Sequence, residues 1–124
     1  MALNDLYNNF RAEFPETTRL TDLEHIQEWG SVDPEMAFSW FESLARFINR
    51  EMSKGVSVKP YIPVFEFLRR GFMLGNDDEK KCIDVSFVEN LFWGVDKEKR
   101  GSYWRAFPDV LKGLYVSFHG REPA

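Results

Sequence analysis

The 124-residue sequence predicts a single all-α domain, a compact bundle of about six helices in which HEAT-like helix pairing is one arrangement. Three observations predict this fold class. Apolar side chains recur at helical spacing in most segments, the connections between segments are short, and no two segments alternate as paired strands would. A chain of this length forms one domain and can bury a substantial core.

The first two helices are predicted from an apolar stripe and from a capping pattern. Pro15 ends the first helix, because the residue before a proline resists the α conformation. Thr21 and Glu24 match a capping box, so we expect a short second helix from Thr21 to a stop at Gly30. The stripe of the first helix consists of Leu3, Leu6, Tyr7, Phe10 and Phe14.

The third and fourth helices differ in how their apolar residues are distributed. Asp33 and Pro34 are typical of an N-cap and a first helical position, and Glu35 complements the positive end of the third helix. Apolar residues fill one continuous arc of that helix. The fourth helix, about Tyr61–Leu74, is apolar nearly all round, which predicts that it lies at the centre of the bundle, with Gly75 as its C-terminal cap.

The segment Cys82–Trp93 alternates like a strand at first and then follows helical spacing. A second capping pattern at Asn76 and Glu79 favours the helix. On a helical wheel the apolar residues of this segment cover about 200°, a partition that a strand would not give. The opposite, polar arc consists of Glu89, Cys82, Trp93, Ser86 and Asn90. After residues 103–107 (YWRAF), a last helix is predicted to begin at Pro108 and to end at His119 and Gly120.

Asp84 lies in the middle of the apolar arc of this helix. An isolated buried charge is very costly, so the carboxylate must be paired or lie at an edge of the domain. A structural ion pair is one interpretation and a contact with a partner is the other. The candidate partners for an ion pair are Arg69, Arg70 and Arg105.

Charge is unevenly distributed along the chain. The segment from Glu13 to Glu42 has eight carboxylates and one arginine, a net −7 in a chain whose total is −4. No basic stripe is present to follow phosphates, so nucleic acid is not expected as a partner, whereas a basic protein surface is. Glu89 and Asn90 face outward on a later helix and are also candidates for partner binding. The acidic candidates are Asp22, Glu24, Glu28, Asp33, Glu35 and Glu42.

Several function classes lack support in the sequence. The two histidines and one cysteine have no metal-ligand spacing, and no phosphate loop or nucleophile elbow is present. We therefore expect no metal, no cofactor and no enzymatic activity. No apolar run reaches the ~18 residues of a membrane span. The start of the chain does not resemble a signal peptide, and lone Cys82 cannot form an internal disulfide, so we expect a cytoplasmic protein.

A family resemblance rests on the stretch YIPVFEFLRRGFMLGNDDEKKCIDVSFVENLFW, about residues 60–93. It resembles small all-helical bacterial proteins similar to the immunity proteins of polymorphic toxin systems. In that pattern an apolar helix ending in glycine precedes an acidic turn and a helix with a VSF-ENL-like sequence. Here the acidic turn is Asn76, Asp77 and Asp78. The matching helix residues are Val85, Ser86, Phe87, Glu89, Asn90 and Leu91.

The resemblance implies an immunity protein that binds a cognate secreted toxin and neutralises it by occluding the toxin's active site. An acidic surface suits this role, because many toxins that act on nucleic acids have basic active sites. The same succession of helix, acidic turn and helix also occurs in HEAT-like repeats. A helical adaptor or scaffold that binds another protein is therefore the alternative.

Overall fold

The computed structural model describes residues 2–123 and confirms the all-α fold. Within that range no strand is present, and three single 3₁₀ turns, at residues 34–36, 59–61 and 97–99, connect the longer elements. A π-helix, Cys82–Val88, continues directly from the fifth α-helix. The α-helices are α1 (Ala2–Glu13), α2 (Pro15–Trp29), α3 (Ala37–Ser53), α4 (Ile62–Leu74), α5 (Asp77–Lys81), α6 (Gly101–Ala106) and α7 (Asp109–His119).

The second helix begins six residues earlier than the sequence predicts. Pro15 does end α1, but it also occupies the first position of α2, where its missing N–H is not needed. The break is limited to Phe14, which has φ −126° and ψ 67°. Thr21 lies inside α2 and is buried, so the predicted start at Thr21 was wrong. The predicted end was correct, because Gly30 caps the helix with a left-handed φ of 86°.

The centre of the bundle is α3, and the prediction that α4 would be central was wrong. Ten of the 17 residues of α3 are buried, between α2 on one side and the π-helix on the other. Phe65 and Leu68 of α4 are fully buried, but its last turn exposes Met73 and Leu74. Although its sequence is mostly apolar, α4 therefore lies at the edge of the bundle. The C-terminal end of α4 lies beside a groove next to α1.

The predicted capping residues make the expected hydrogen bonds, but Asp33 caps the 3₁₀ turn at residues 34–36, and α3 begins only at Ala37 with no side-chain cap. The Asp33 carboxylate accepts the backbone N–H of Glu35 at 2.9 Å. Asn76 and Glu79 form the reciprocal capping box, with hydrogen bonds of 2.9 and 3.0 Å. Gly75 follows α4 in an extended conformation, and glycine is required there for space: a Cβ would lie 2.4 Å from the carbonyl oxygen of Gly71.

The segment that begins at Cys82 is helical, as predicted, but it is a π-helix and it ends at Val88. The backbone N–H of Glu89 bonds the carbonyl of Asp84, five residues earlier, at 3.1 Å. The wider turn rotates the faces away from those of an α-helical wheel. Cys82 and Ser86, predicted on the polar side, are consequently buried, and Val85 is exposed.

No helix in residues 2–123 combines the length and the apolar character needed to cross a membrane.

Candidate partner-binding site

The loop after the π-helix contains an unusual backbone conformation. Phe92 has a φ of 73°, and it is the one non-glycine residue with a positive φ in the described part of the chain. A bulky residue in this region costs about 1–3 kcal/mol and persists only where its surroundings hold it in place. Its ring is buried edge-on against three aromatic side chains. These are Trp104, Phe107 and Tyr115, with centroids 5.6–5.9 Å away.

Asn49 of α3 holds the backbone of the same loop. Its side-chain oxygen accepts the N–H of Phe92 at 2.7 Å, and its amide nitrogen donates to the carbonyl of Asn90 at 2.9 Å. The buried ring of Phe92 and the hydrogen bonds of the Asn49 side chain together hold the backbone of this loop in one conformation. The residue that it presents is Trp93, whose surface is 79% exposed.

Trp93 forms one wall of a cleft of about 420 Å³ between the loop, α2 and α3. Glu24 of α2 lies on the opposite side, where Arg50 binds its carboxylate through two hydrogen bonds of 3.0 Å each. The cleft thus combines an apolar platform with charges of both signs. We call it the Trp93 cleft, and its main lining residues are Glu24, Arg46, Asn49, Arg50, Asn90 and Trp93.

Most of the acidic segment is neutralised by pairing within the chain. Five of its eight carboxylates form ion pairs, four of them with arginines from outside the segment. Glu42, for example, binds Arg46 at 2.8 Å. Among the described residues, Glu28, Asp33 and Glu35 have no ion pair. All three are exposed and follow one another around the end of α2 and the start of α3.

Asp22 is directed into the molecule. Its two oxygens accept hydrogen bonds from Arg11 of α1 at 2.9 and 2.8 Å. One of them also accepts the indole N–H of Trp40 at 2.8 Å. Because its oxygens are occupied by α1 and α3, this carboxylate joins helices and is not positioned to meet a partner.

Glu89 and Asn90 lie at the start of the Trp93 loop. The Asn90 amide donates to the carbonyl of Ser86 at 2.8 Å and so caps the π-helix. The backbone carbonyl of Glu89 bonds Nε2 of His119 at 3.2 Å. Burial raises the pKa of the Glu89 carboxyl, and the nearby carboxylate of Asp84 raises it further.

The predicted ion pair of Asp84 is not formed. None of the three candidate arginines reaches it, and it has no ion pair within residues 2–123. Its carboxyl is half-buried, and this desolvation raises its pKa. Asp84 and Glu89 therefore form a partly covered acidic pair beside the loop. The arginines predicted to pair with it were Arg69, Arg70 and Arg105, of which the first two bind other carboxylates.

The interface of α2 and α3 contains a buried polar seam that the sequence did not reveal. Nδ1 of His25 lies 2.8 Å from the Ser43 hydroxyl, and burial lowers the pKa of the imidazole. His25 Nε2 has no hydrogen-bond partner among residues 2–123. Although Asp22, His25 and Ser43 are the residue types of a hydrolase triad, His25 is fully buried and Asp22 is bound elsewhere. The arrangement offers no accessible nucleophile.

The described residues contain no site for metal binding or for thiol chemistry. No group of three or more His, Cys, Asp or Glu side chains is arranged to hold a metal ion there. Cys82 is buried, and this raises the pKa of its thiol to about 12. The thiol therefore stays protonated at neutral pH and packs as a small apolar side chain.

From the sequence, Trp93 and Asn49 each fall on the polar arc of a predicted helix, and neither was assigned a role. A tryptophan on the polar side of a predicted helix was the available signal. The comparisons with known proteins add a family. A model described as a domain of unknown function (DUF7674) matches residues 7–120. No curated protein and no solved structure is significantly similar to the chain.

Proposed function

Because the chain belongs to the family described as a domain of unknown function (DUF7674), whose description assigns no activity, we propose a function from its site. The protein binds another protein through the Trp93 cleft, and binding blocks the partner. The partner is a cognate toxin domain, as in the immunity proteins that residues 60–93 resemble. This role requires a rigid, complementary surface and no catalytic group of its own.

The observation that carries the proposal is the fixed presentation of Trp93. Tryptophan is among the residues that contribute most to binding at protein interfaces. A side chain presented on a preformed loop loses little freedom on binding, so more of its contact energy is realised as affinity. Here Asn49 and the buried Phe92 ring hold the loop before any partner arrives. The strained φ is that of the buried Phe92, and the side chain that the loop then exposes is the neighbouring Trp93.

The charges around the cleft support a partner with polar and basic groups. Within the cleft Arg50 pairs with Glu24, and Arg46 pairs with Glu42. The negative charge without an ion pair in the described chain is that of Asp84 and Glu89 beside the loop. Opposite charges on two surfaces accelerate their encounter, and salt screens this effect. The active site of a toxin that acts on nucleic acids is a surface of this kind.

The test is co-expression with the protein encoded by the adjacent gene, which the proposal expects to be toxic. The wild-type chain should restore growth of cells that make the toxin, and the two should elute together on gel filtration. The Trp93→Ala variant should lose both effects. Leu74→Ala is the matched control, because Leu74 is as exposed, at 84%, and does not line the cleft.

Two outcomes would overturn the proposal in different ways. If Trp93→Ala protects cells as well as the wild type does, the Trp93 cleft is not the binding site. If the chain forms a stable complex through Trp93 with a partner that is not toxic, the helical adaptor of HEAT-like type becomes the better description. In that case the neighbouring gene would encode no toxin and growth would not depend on the chain.

A further inference from the structure

A second cavity, of about 300 Å³, lies between the loop that carries Trp93, α7 and the last described residues of the chain. It is distinct from the Trp93 cleft, because the two share only Trp93 and Gly94 among their lining residues. Its volume is at the lower end of the range of ligand-binding pockets, which suits a small molecule. We call it the Arg100 pocket, and its charged and polar lining residues are Lys97, Arg100, Tyr115, His119, Arg121 and Glu122.

Hydrogen bonds within the chain hold the pocket closed on one side. The Arg100 guanidinium donates from Nε to the carbonyl of Val95 at 2.6 Å. Its Nη1 donates to the carbonyl of Pro123, a buried residue of the segment that follows α7. This one side chain therefore ties the segment after α7 to the loop after Trp93. The wall that contains Arg100 is formed before any ligand binds.

The pocket concentrates positive charge in a chain whose net charge is −4. Lys97, Arg100 and Arg121 are three positive side chains, and Glu122 is the one negative side chain, which gives the lining a net +2 with neutral histidine. None of the three cations has an ion pair within residues 2–123. The partners of Arg100 are neutral carbonyls, which fix its position and leave its charge uncompensated.

This charge selects the chemistry of the ligand. A carboxylate would compensate only one of the two excess positive charges. A phosphate monoester carries about −1.5 to −2 charges at neutral pH and three strong acceptor oxygens, so it matches the lining more closely. Guanidinium and ammonium groups form short, charge-assisted hydrogen bonds with phosphate oxygens.

Aromatic side chains form the rest of the pocket. The rings of Tyr115 and His119 are stacked, with centroids 4.0 Å apart, and Nε2 of His119 donates to the carbonyl of Glu89 at 3.2 Å. Burial raises the pKa of the Tyr115 phenol, and the positive charges of Arg100 and Arg121 oppose this rise, so both guanidinium groups act on the same hydroxyl. The exposed indole of Trp93 also lines the pocket and offers a surface on which a flat ring can stack.

We propose that the Arg100 pocket binds a small phosphate monoester that carries a flat ring, the chemistry of a nucleoside monophosphate. Lys97, Arg100 and Arg121 neutralise the phosphate, and the base stacks on the indole of Trp93. A strand of nucleic acid is not the ligand, because following its phosphates takes a row of basic residues along the surface. The proposal does not depend on the proposed function, since Lys97 and Arg121 do not line the Trp93 cleft.

The experiment titrates the full chain with AMP, adenosine and inorganic phosphate, followed by calorimetry and by backbone amide shifts in NMR spectra. AMP should bind, shift the amides of residues 93–100 and 115–123, and bind more weakly as salt is added. Adenosine lacks the phosphate, and inorganic phosphate lacks the ring. Each should therefore bind at least about tenfold more weakly than AMP.

Three variants localise the contact. Arg121→Gln and Lys97→Gln should each weaken AMP binding by about tenfold, because each removes one charged partner of the phosphate. Both residues are exposed, so the fold should persist, which circular dichroism checks. Arg105→Gln is the matched control, since Arg105 is also exposed but does not line the pocket. Trp93→Ala should weaken the binding of AMP and leave that of inorganic phosphate unchanged.

The proposal is wrong if the folded wild type does not bind AMP, or if adenosine binds as tightly as AMP does. It is also wrong if Arg121→Gln and Lys97→Gln bind AMP no more weakly than Arg105→Gln. Inorganic phosphate that binds as tightly as AMP would show that the ring makes no contact, which overturns the assignment to a nucleotide. Arg121→Gln leaves the Trp93 cleft intact, so its protection of cells that make the toxin tests the proposed function separately.

Discussion

The side-chain oxygen of Asn49 accepts the backbone N–H of Phe92 at 2.7 Å, and this hydrogen bond joins the central helix to the loop that presents Trp93. The two residues are 43 positions apart in the sequence. Asn49 also binds the carbonyl of Asn90, so one buried side chain satisfies both a donor and an acceptor of the loop backbone. The conformation of the loop is therefore set by α3.

Replacing Asn49 with alanine should destabilise the protein by about 1–3 kcal/mol, because the buried N–H of Phe92 loses its partner. Urea unfolding measures this change. Asn8→Ala is the control, since Asn8 is exposed on α1. The same variant should make the indole of Trp93 more mobile in NMR relaxation. If Asn49→Ala unfolds at the wild-type urea concentration, the loop does not depend on Asn49.

His25 should make stability fall at mildly acidic pH. Burial lowers the pKa of its imidazole in the folded protein below the ordinary value of 6.5, with Asp22 opposing this effect and Arg46 adding to it. The unfolded chain then binds a proton at a higher pH than the folded chain does. The neutral imidazole of His25 therefore favours the folded state fully above pH 6.5. This stability is lost as the pH falls from 6.5 through the pKa of His25 in the folded protein.

The measurement is the urea midpoint of the wild type and of His25→Gln between neutral and mildly acidic pH. As the pH falls, the urea midpoint of the wild type should decrease relative to that of His25→Gln, because glutamine does not take up a proton. The other histidine, His119, remains in both proteins. A difference that stays constant across this range would show that His25 does not titrate on unfolding.

Asp84→Asn should stabilise the protein at neutral pH. Desolvation raises the pKa of Asp84 above its ordinary value of 3.8, and no ion pair with another described residue compensates for the burial of its charge. The folded protein therefore carries a penalty that appears as the pH rises through 3.8 and the folded pKa. Thermal melts at neutral pH and below pH 3.8 measure it, and the gain should vanish at the lower pH. A large loss of stability at neutral pH would mean that the carboxylate has a partner after all.

Two glycine substitutions should have opposite effects. Gly113 lies inside α7, and a Cβ there meets no atom within 4 Å, so Gly113→Ala should stabilise by about 0.5–1 kcal/mol. A Cβ at Gly75 would lie 2.4 Å from the Gly71 carbonyl oxygen, so Gly75→Ala should destabilise. Melting temperatures compare the two variants directly. A higher melting temperature for both variants would show that the end of α4 has room for a Cβ at Gly75.

The helices could be predicted from the sequence because their signals are local. Apolar spacing indicated α1, α3 and α7, and the pattern at Asn76 and Glu79 formed the expected capping box. The similar pattern at Thr21 and Glu24 did not form one. Pro15 had already started the helix, and Arg50 of α3 binds the glutamate. A capping pattern in the sequence does not reveal an earlier helix start or a contact with another helix.

The candidate site could be predicted only in part, because it depends on contacts between distant segments. A charge count along the sequence cannot include the arginines of other helices that neutralise carboxylates such as Asp22 and Glu42. A wheel at 100° per residue misplaces the faces of a π-helix. The positive φ of Phe92 requires the side chain of Asn49, which no local pattern near Trp93 indicates.

Whether Trp93 anchors a protein partner can be decided by calorimetric titration of purified variants with the product of the adjacent gene, which the proposal expects to be a toxin. Trp93→Ala should bind at least about tenfold more weakly than the wild type, while Leu74→Ala should bind with wild-type affinity. Equal affinities for the wild type and Trp93→Ala, with both proteins folded, would contradict this role of Trp93.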